Sequence, residues 1–123
     1  MRHVSLEFKG LLNDRLPDIL FKEARNARYI YLYRAGRYWL AFEKSAFRLS
    51  NVCASAMLYP IKISTAPFPI VAASVEYDEL VAAVEGMKCL EISETDMIYE
   101  CGKYYRGGAY DKWHDRETEI LRS

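Results

Sequence analysis

The stretch from Tyr29 to Cys53, YIYLYRAGRYWLAFEKSAFRLSNVC, decides how the chain is read. Ile30 and Leu32 alternate with Tyr29, Tyr31 and Tyr33. A period of two in aromatic and β-branched residues is the pattern of a β-strand. Arg34-Ala35-Gly36-Arg37 then reads as a short hairpin connection, because Gly36 reaches positive φ without a clashing Cβ. RYWLAF is the returning strand, with Tyr38, Leu40 and Phe42 on one face and Trp39 and Ala41 on the other. Ser45 suits the cap of a following helix, in which Ala46, Leu49, Val52, Cys53 and Ala56 recur at helical spacing.

Upstream, LPDILFKEARNAR predicts a helix with Pro17 in its opening turn, where a missing N–H costs nothing. Asp18 sits at the positive end of the dipole, and Ile19, Leu20, Ala24 and Ala27 form the stripe. Downstream, IKIS (61–64) reads as a short edge strand. FPIVAASV (68–75) reads as a strand buried on both faces, with Pro69 at or before its start. YDELVAAVEG and KCLEIS then give a short helix that opens on Asp78 and Glu79 and closes at Gly86, followed by a strand through Leu90 and Ile92. Strand, helix, strand with tight links predicts a βαβ unit with parallel strands. With the hairpin, the expected fold is α/β: a single domain, a mixed sheet of about five strands and flanking helices. Its body is residues 1–101. Residues 102–123 form a C-terminal tail with a short helix from Asp111 that docks Trp113, Ile120 and Leu121.

A chain of 123 residues buries a core without metals or disulfides. Cys53, Cys89 and Cys101 are odd in number and lack Cys-x-x-Cys spacing, so they read as small hydrophobes in a reducing compartment. The opening MRHVSLEFKG has no signal-like apolar run, and no apolar run is long enough to span a bilayer; a cytoplasmic protein with no membrane partner is expected. Net charge is zero, but residues 1–50 carry ten Lys/Arg against five Asp/Glu, and residues 51–123 carry seven against twelve. Arg25, Arg28, Arg34, Arg37, Lys44 and Arg48 cluster in the basic half. They are either a solvated face paired to carboxylates of the other half or a phosphate-binding surface.

The Gly36-centred segment resembles the N-terminal mismatch-recognition domain of the DNA mismatch-repair protein MutS. Ala35-Gly36-Arg37-Tyr38-Trp39-Leu40-Ala41-Phe42 takes the places of that family's Met-Gly-Asp-Phe-Tyr-Glu-Leu-Phe, and Ala46 falls on the alanine of its next helix. FPIVAAS is similar to the family's Pro-Met-Ala-Gly-Ile-Pro strand, and YDELVAAVEGMKCLEIS to the helix and strand after it. The similarity spans roughly residues 18 to 97. It implies a stand-alone, divergent, non-enzymatic DNA-binding module. In the family the Phe of Phe-x-Glu wedges against a mismatched base and the Glu hydrogen-bonds to it; Tyr38 and Leu40 stand there here. Tyrosine keeps a flat ring, whereas leucine accepts no hydrogen bond, so the implied binding is weak and not mismatch-specific. Arg37 replaces the family's acidic residue and favours phosphate. No Gly-x-x-x-x-Gly-Lys-Ser/Thr is present, so the ATPase part of that machine has no counterpart.

The expected nucleic-acid site is therefore Arg34, Gly36, Arg37, Tyr38, Trp39, Lys44 and Arg48, with the cations on phosphates and Tyr38 and Trp39 stacking on or wedging between the bases of duplex or single-stranded DNA. The Tyr29/Tyr31/Tyr33 stripe is either a helix-covered sheet face or a stacking platform. GKYYRGGAY (102–110) interleaves bases and aromatics, which can hold a single strand or serve as a linker or self-association edge. His3 and His114 lack ligand spacing, so no cofactor, metal or catalysis is expected. The alternative is a structural or protein-interaction domain that keeps the fold without DNA binding.

Overall fold

The structure, a computed structural model, describes residues 6–63, 68–103 and 105–122. The elements run α1 (Leu6–Ala24), β1 (Tyr29–Ala35), β2 (Tyr38–Phe42), α2 (Glu43–Val52), β3 (Met57–Ile61), β4 (Ile70–Glu76), α3 (Tyr77–Ala83), β5 (Lys88–Ile92), β6 (Asp96–Glu100) and α4 (Ala109–Arg122). They form one small α/β domain around a six-stranded sheet in the order β3-β4-β2-β1-β6-β5.

Every neighbouring pair of strands is antiparallel, so the expected mixed sheet and its parallel βαβ unit are corrected. β4 and β5, the strands that α3 joins, are separated by β2, β1 and β6. The reason is β6, a strand that the expected fold, whose last strand runs through Leu90 and Ile92, does not contain. It pairs with β1 from Tyr29↔Glu100 to Tyr33↔Asp96 and holds β5 at its far side. β5 therefore sits at one edge and β3 at the other.

The hairpin forms as its sequence predicts. Ala35 pairs with Tyr38 across a two-residue turn in which Gly36 has φ +64°. Alternation then divides the sheet between two cores. Tyr33, Ala35, Leu40, Phe42, Ile70 and Ala72 pack under α1 through Leu11, Leu16 and Ile19. Ile30, Leu32, Trp39, Ala41, Val71, Ala73, Val75, Met97 and Tyr99 face α2, α3 and α4. The tyrosine stripe is thus a helix-covered face, with Tyr33 buried and Lys22 lying over the rings of Tyr31 and Tyr33.

Three further boundaries differ from expectation. α1 starts at Leu6 and holds Pro17 within it, because Phe8, Leu11, Leu12 and Leu16 extend the stripe upstream while Pro17 stays on the exposed side. α2 starts at Glu43 with Phe42 as its cap residue, so Ser45 lies inside the first turn. The Ser45 N–H is met instead by the Glu23 carboxylate from α1 at 3.0 Å. In the tail, Trp113 enters the core as expected, whereas Ile120 is exposed and Leu121 only partly covered. Ser64 of the expected IKIS strand lies outside the described residues; β3 instead ends at Ile61.

The basic and acidic halves meet on folding. Arg15 grips Asp96 through two bonds of 3.0 Å, Arg28 faces Glu100 at 3.5 Å, and Arg37 pairs with Glu76. These pairs account for part of the cationic front half, and two of them lie across the seam between β1 or β2 and its neighbour strand.

Candidate nucleic-acid interface

The expected site divides in two. At the hairpin, Arg34 is exposed and its Nε donates to the Gly36 carbonyl at 3.0 Å. Arg37 is exposed but its guanidinium is bound by the Glu76 carboxylate, which stands beside it because Tyr38 pairs with Glu76 in the β2–β4 ladder. Arg37 also lies 5.4 Å from the Tyr38 ring centroid. Tyr38 is 40% exposed, whereas Trp39 is 6% and Leu40 4% exposed, each on its own covered face. Trp39 as a contact residue is thereby corrected: the parity that turns Tyr38 outward sends Trp39 beneath the helices. The hairpin retains one exposed ring, Tyr38, and one arginine, Arg34, without a carboxylate partner among the described residues.

Lys44 and Arg48 lie elsewhere, one helical turn apart on α2, and there they meet the tail. Together with Asn26, Ala27, Phe47, Tyr105, Arg106, Gly108 and Tyr110 they line a recess of about 300 Å³, at the small end of ligand sites. Its cations are Lys44, Arg48 and Arg106, and no carboxylate is among the lining residues. The tail is held there by ring packing on Phe47: the centroids of Tyr105, Trp113 and Tyr110 lie at 4.9, 5.3 and 5.8 Å. Gly108, at φ +87°, turns the chain into α4. Lys103 adds a further cation, 5.7 Å from the Tyr105 ring. The basic–aromatic motif of residues 102–110 and two of the seven expected site residues thus converge; Tyr104 lies outside the described residues.

Arg48 forms the floor of this recess. Its Nη1 donates to the Tyr29 carbonyl at 3.0 Å, and its Nη2 to those of Asn26 at 3.3 Å and Ala27 at 2.9 Å. A guanidinium has five N–H donors, so two remain. Burial lowers its pKa from the ordinary arginine value. The Tyr105 hydroxyl is buried beside Cys101, and burial pushes its pKa up to about 12.

Behind the floor lies a polar knot that sequence reasoning did not anticipate. Glu23 is 2% exposed and accepts from the Ser45 N–H, the Ser45 hydroxyl and the Asn26 amide. Asn26 in turn ties the Tyr29 backbone, donating to its carbonyl at 2.8 Å and accepting from its N–H at 2.7 Å. Desolvation raises the Glu23 carboxyl to about 7 despite these donors, so near neutral pH it exchanges a proton next to Arg48. The signal was present: Glu23 falls four residues after Ile19, on the apolar stripe of α1.

The His114 ring bonds to the Glu43 carboxylate at 2.8 Å. The same Glu43 oxygen accepts from the Val71 N–H at 2.9 Å, while Glu43 itself enters α2 at φ +52°. That left-handed conformation costs about 1–2 kcal/mol for a residue with a Cβ. The tie joins α4, α2 and β4. His3 lies outside the described residues, and among the described residues no group of His, Cys, Asp and Glu is placed to hold a metal. No described helix is long and apolar enough to cross a membrane. Comparison with protein-family models, curated proteins and solved structures yields no match.

Proposed function

We propose that the chain is a non-enzymatic nucleic-acid-binding module whose site is the recess between α2 and the tail, and whose ligand is a single-stranded segment. One observation carries this reading: Lys44, Arg48 and Arg106 converge with the rings of Tyr105 and Tyr110 around a recess with no carboxylate in its lining. Cations in such a recess take a phosphate, and partly exposed tyrosine rings take a neighbouring base by its π-face. The resemblance to the mismatch-recognition domain supports the ligand class. The residues do not favour mismatch reading, since the leucine in the glutamate's place is buried. The alternative, an interaction domain without DNA binding, draws support from the hairpin, where Arg37 is neutralised and Trp39 is covered.

The test is fluorescence anisotropy with single-stranded, matched duplex and mismatched duplex DNA. Single strands should bind best, with little difference between the duplexes. Three phosphate contacts give a slope of log K against log salt of about −2, at about −0.7 per contact. Lys44→Ala with Arg106→Ala should weaken binding about tenfold or more, and Arg37→Ala should leave it near wild type. No binding to any of the three at low salt ends this reading in favour of the alternative.

A further inference from the structure

The acidic half of the chain builds a second surface. β5 is an edge strand, and all five of its residues are exposed, Ile92 at 67%. α3 packs on β4 and β2, so the β5–β6 ribbon extends past it. Between the two lies an open cleft of about 540 Å³ lined by Asp78, Val81, Ala82, Val84, Glu85 and Tyr99. The ladder slips by one residue between Cys89 and Glu91, which opposes Cys89 to Tyr99 and Ile92 to Met97. This bulge turns Cys89 and Ile92 to the cleft side and Lys88 and Glu91 to the other. Exposed Val81 and Tyr77 extend the apolar rim along α3.

Charge surrounds this apolar edge. From Glu76 to Glu100 there are eight acidic residues and one basic residue, Lys88. Glu76, Asp96 and Glu100 are paired to arginines, and Glu79 accepts from the Ser55 hydroxyl. Asp78, Glu85, Glu91 and Glu94 have no cationic partner among the described residues. A second copy placed edge to edge would set these carboxylates against their own equivalents, and like charges across an interface oppose pairing. The five-residue length, the bulge and Lys88 also limit indiscriminate strand addition.

We propose that the β5 edge and the α3 cleft bind an extended segment of another protein in which Lys or Arg alternates with apolar residues, added to β5 as a further strand. Backbone groups of the segment meet the outward N–H and C=O groups of β5. Its apolar side chains turn to the cleft beside Ile92, Val81 and Tyr99. Its cations lie on the other face, beside Glu91.

The experiment uses the full chain and two labelled peptides, one alternating Lys with Val and one alternating Glu with Val, read by anisotropy at low salt and by amide hydrogen exchange. The Lys peptide should bind saturably and slow exchange in residues 88–92, while the Glu peptide should not. Glu91→Lys should weaken the Lys peptide about tenfold, because it reverses the charge that the cations face. Ile92→Lys should do the same, and Lys44→Ala with Arg106→Ala should change nothing. Apart from half-buried Lys44, these variants lie at exposed positions, and circular dichroism checks that each folds. Equal binding of both peptides, no saturable binding, or indifference to Glu91→Lys overturns the proposal. So does a dimer that protects β5 without peptide, which would assign the edge to a second copy.

Discussion

Replacing Glu23 by glutamine should remove a loss of stability that rising pH imposes on this protein on the way to neutrality. The Glu23 carboxyl is ordinarily at 4.5 and stands at about 7 in the fold, because burial disfavours its charge more than Ser45 and Asn26 favour it. Between those values the folded chain holds a proton that the unfolded chain has released. Stability is therefore fully present below about pH 4.5 and is lost as pH rises through 7. A gap of about 2.5 units at 1.36 kcal/mol each sets a ceiling of about 3 kcal/mol. Asp96 acts in a different window: Arg15 holds its carboxyl below the ordinary value of 3.8, so its contribution disappears only as pH falls below about 4. Urea denaturation of wild type and Glu23→Gln from pH 5 to 8 isolates the effect, since every other titrating group is common to both. The wild-type advantage should shrink by up to about 3 kcal/mol across that range. Curves that stay parallel would refute the assignment of a buried, proton-exchanging carboxyl at the α1–α2 junction.

Other substitutions test the fold and the site directly. Trp113→Ala should destabilise by about 3–5 kcal/mol in urea melts, because the ring fills the core beside Phe47. Leu40→Glu, which would place the missing carboxylate of Phe-x-Glu, should unfold much of the protein before it binds anything, since the position is covered by α1. Loss of the cooperative melting transition would show this. Gly36→Ala should lower stability by about 1 kcal/mol, reflecting φ +64° at the turn, with the hairpin register unchanged by NMR.

The hairpin was legible because period-two alternation from Tyr29 to Phe42 is uninterrupted apart from the one glycine that the turn requires. β4 was legible because an apolar run bounded by a proline has few other readings. Pairing was not. Nothing local to Ile70–Ile92 distinguishes a βαβ unit from two strands sent to distant places in an antiparallel sheet. The deciding partner, Asp96–Glu100, adjoins a Gly/Tyr-rich stretch that masks its alternation. The site shows the same limit. Lys44 and Arg48 share a helix face and Arg106 stands in a recognisable basic–aromatic motif, yet their meeting depends on Phe47 drawing the tail onto α2. The burial of Trp39 required knowing which sheet face carries three helices rather than one.

Arg48 has a consequence for how this protein can be dissected. By clasping two carbonyls of the α1–β1 link and that of Tyr29 at the start of β1, it is immobilised when the chain folds, so a ligand arriving there orders nothing new at that residue. Lysine has no planar fork to span those three oxygens, and even this conservative exchange would release the link together with the charge. Genetic variation at position 48 will therefore report on scaffold integrity and affinity at once, and variation at 44 and 106 is what separates the two.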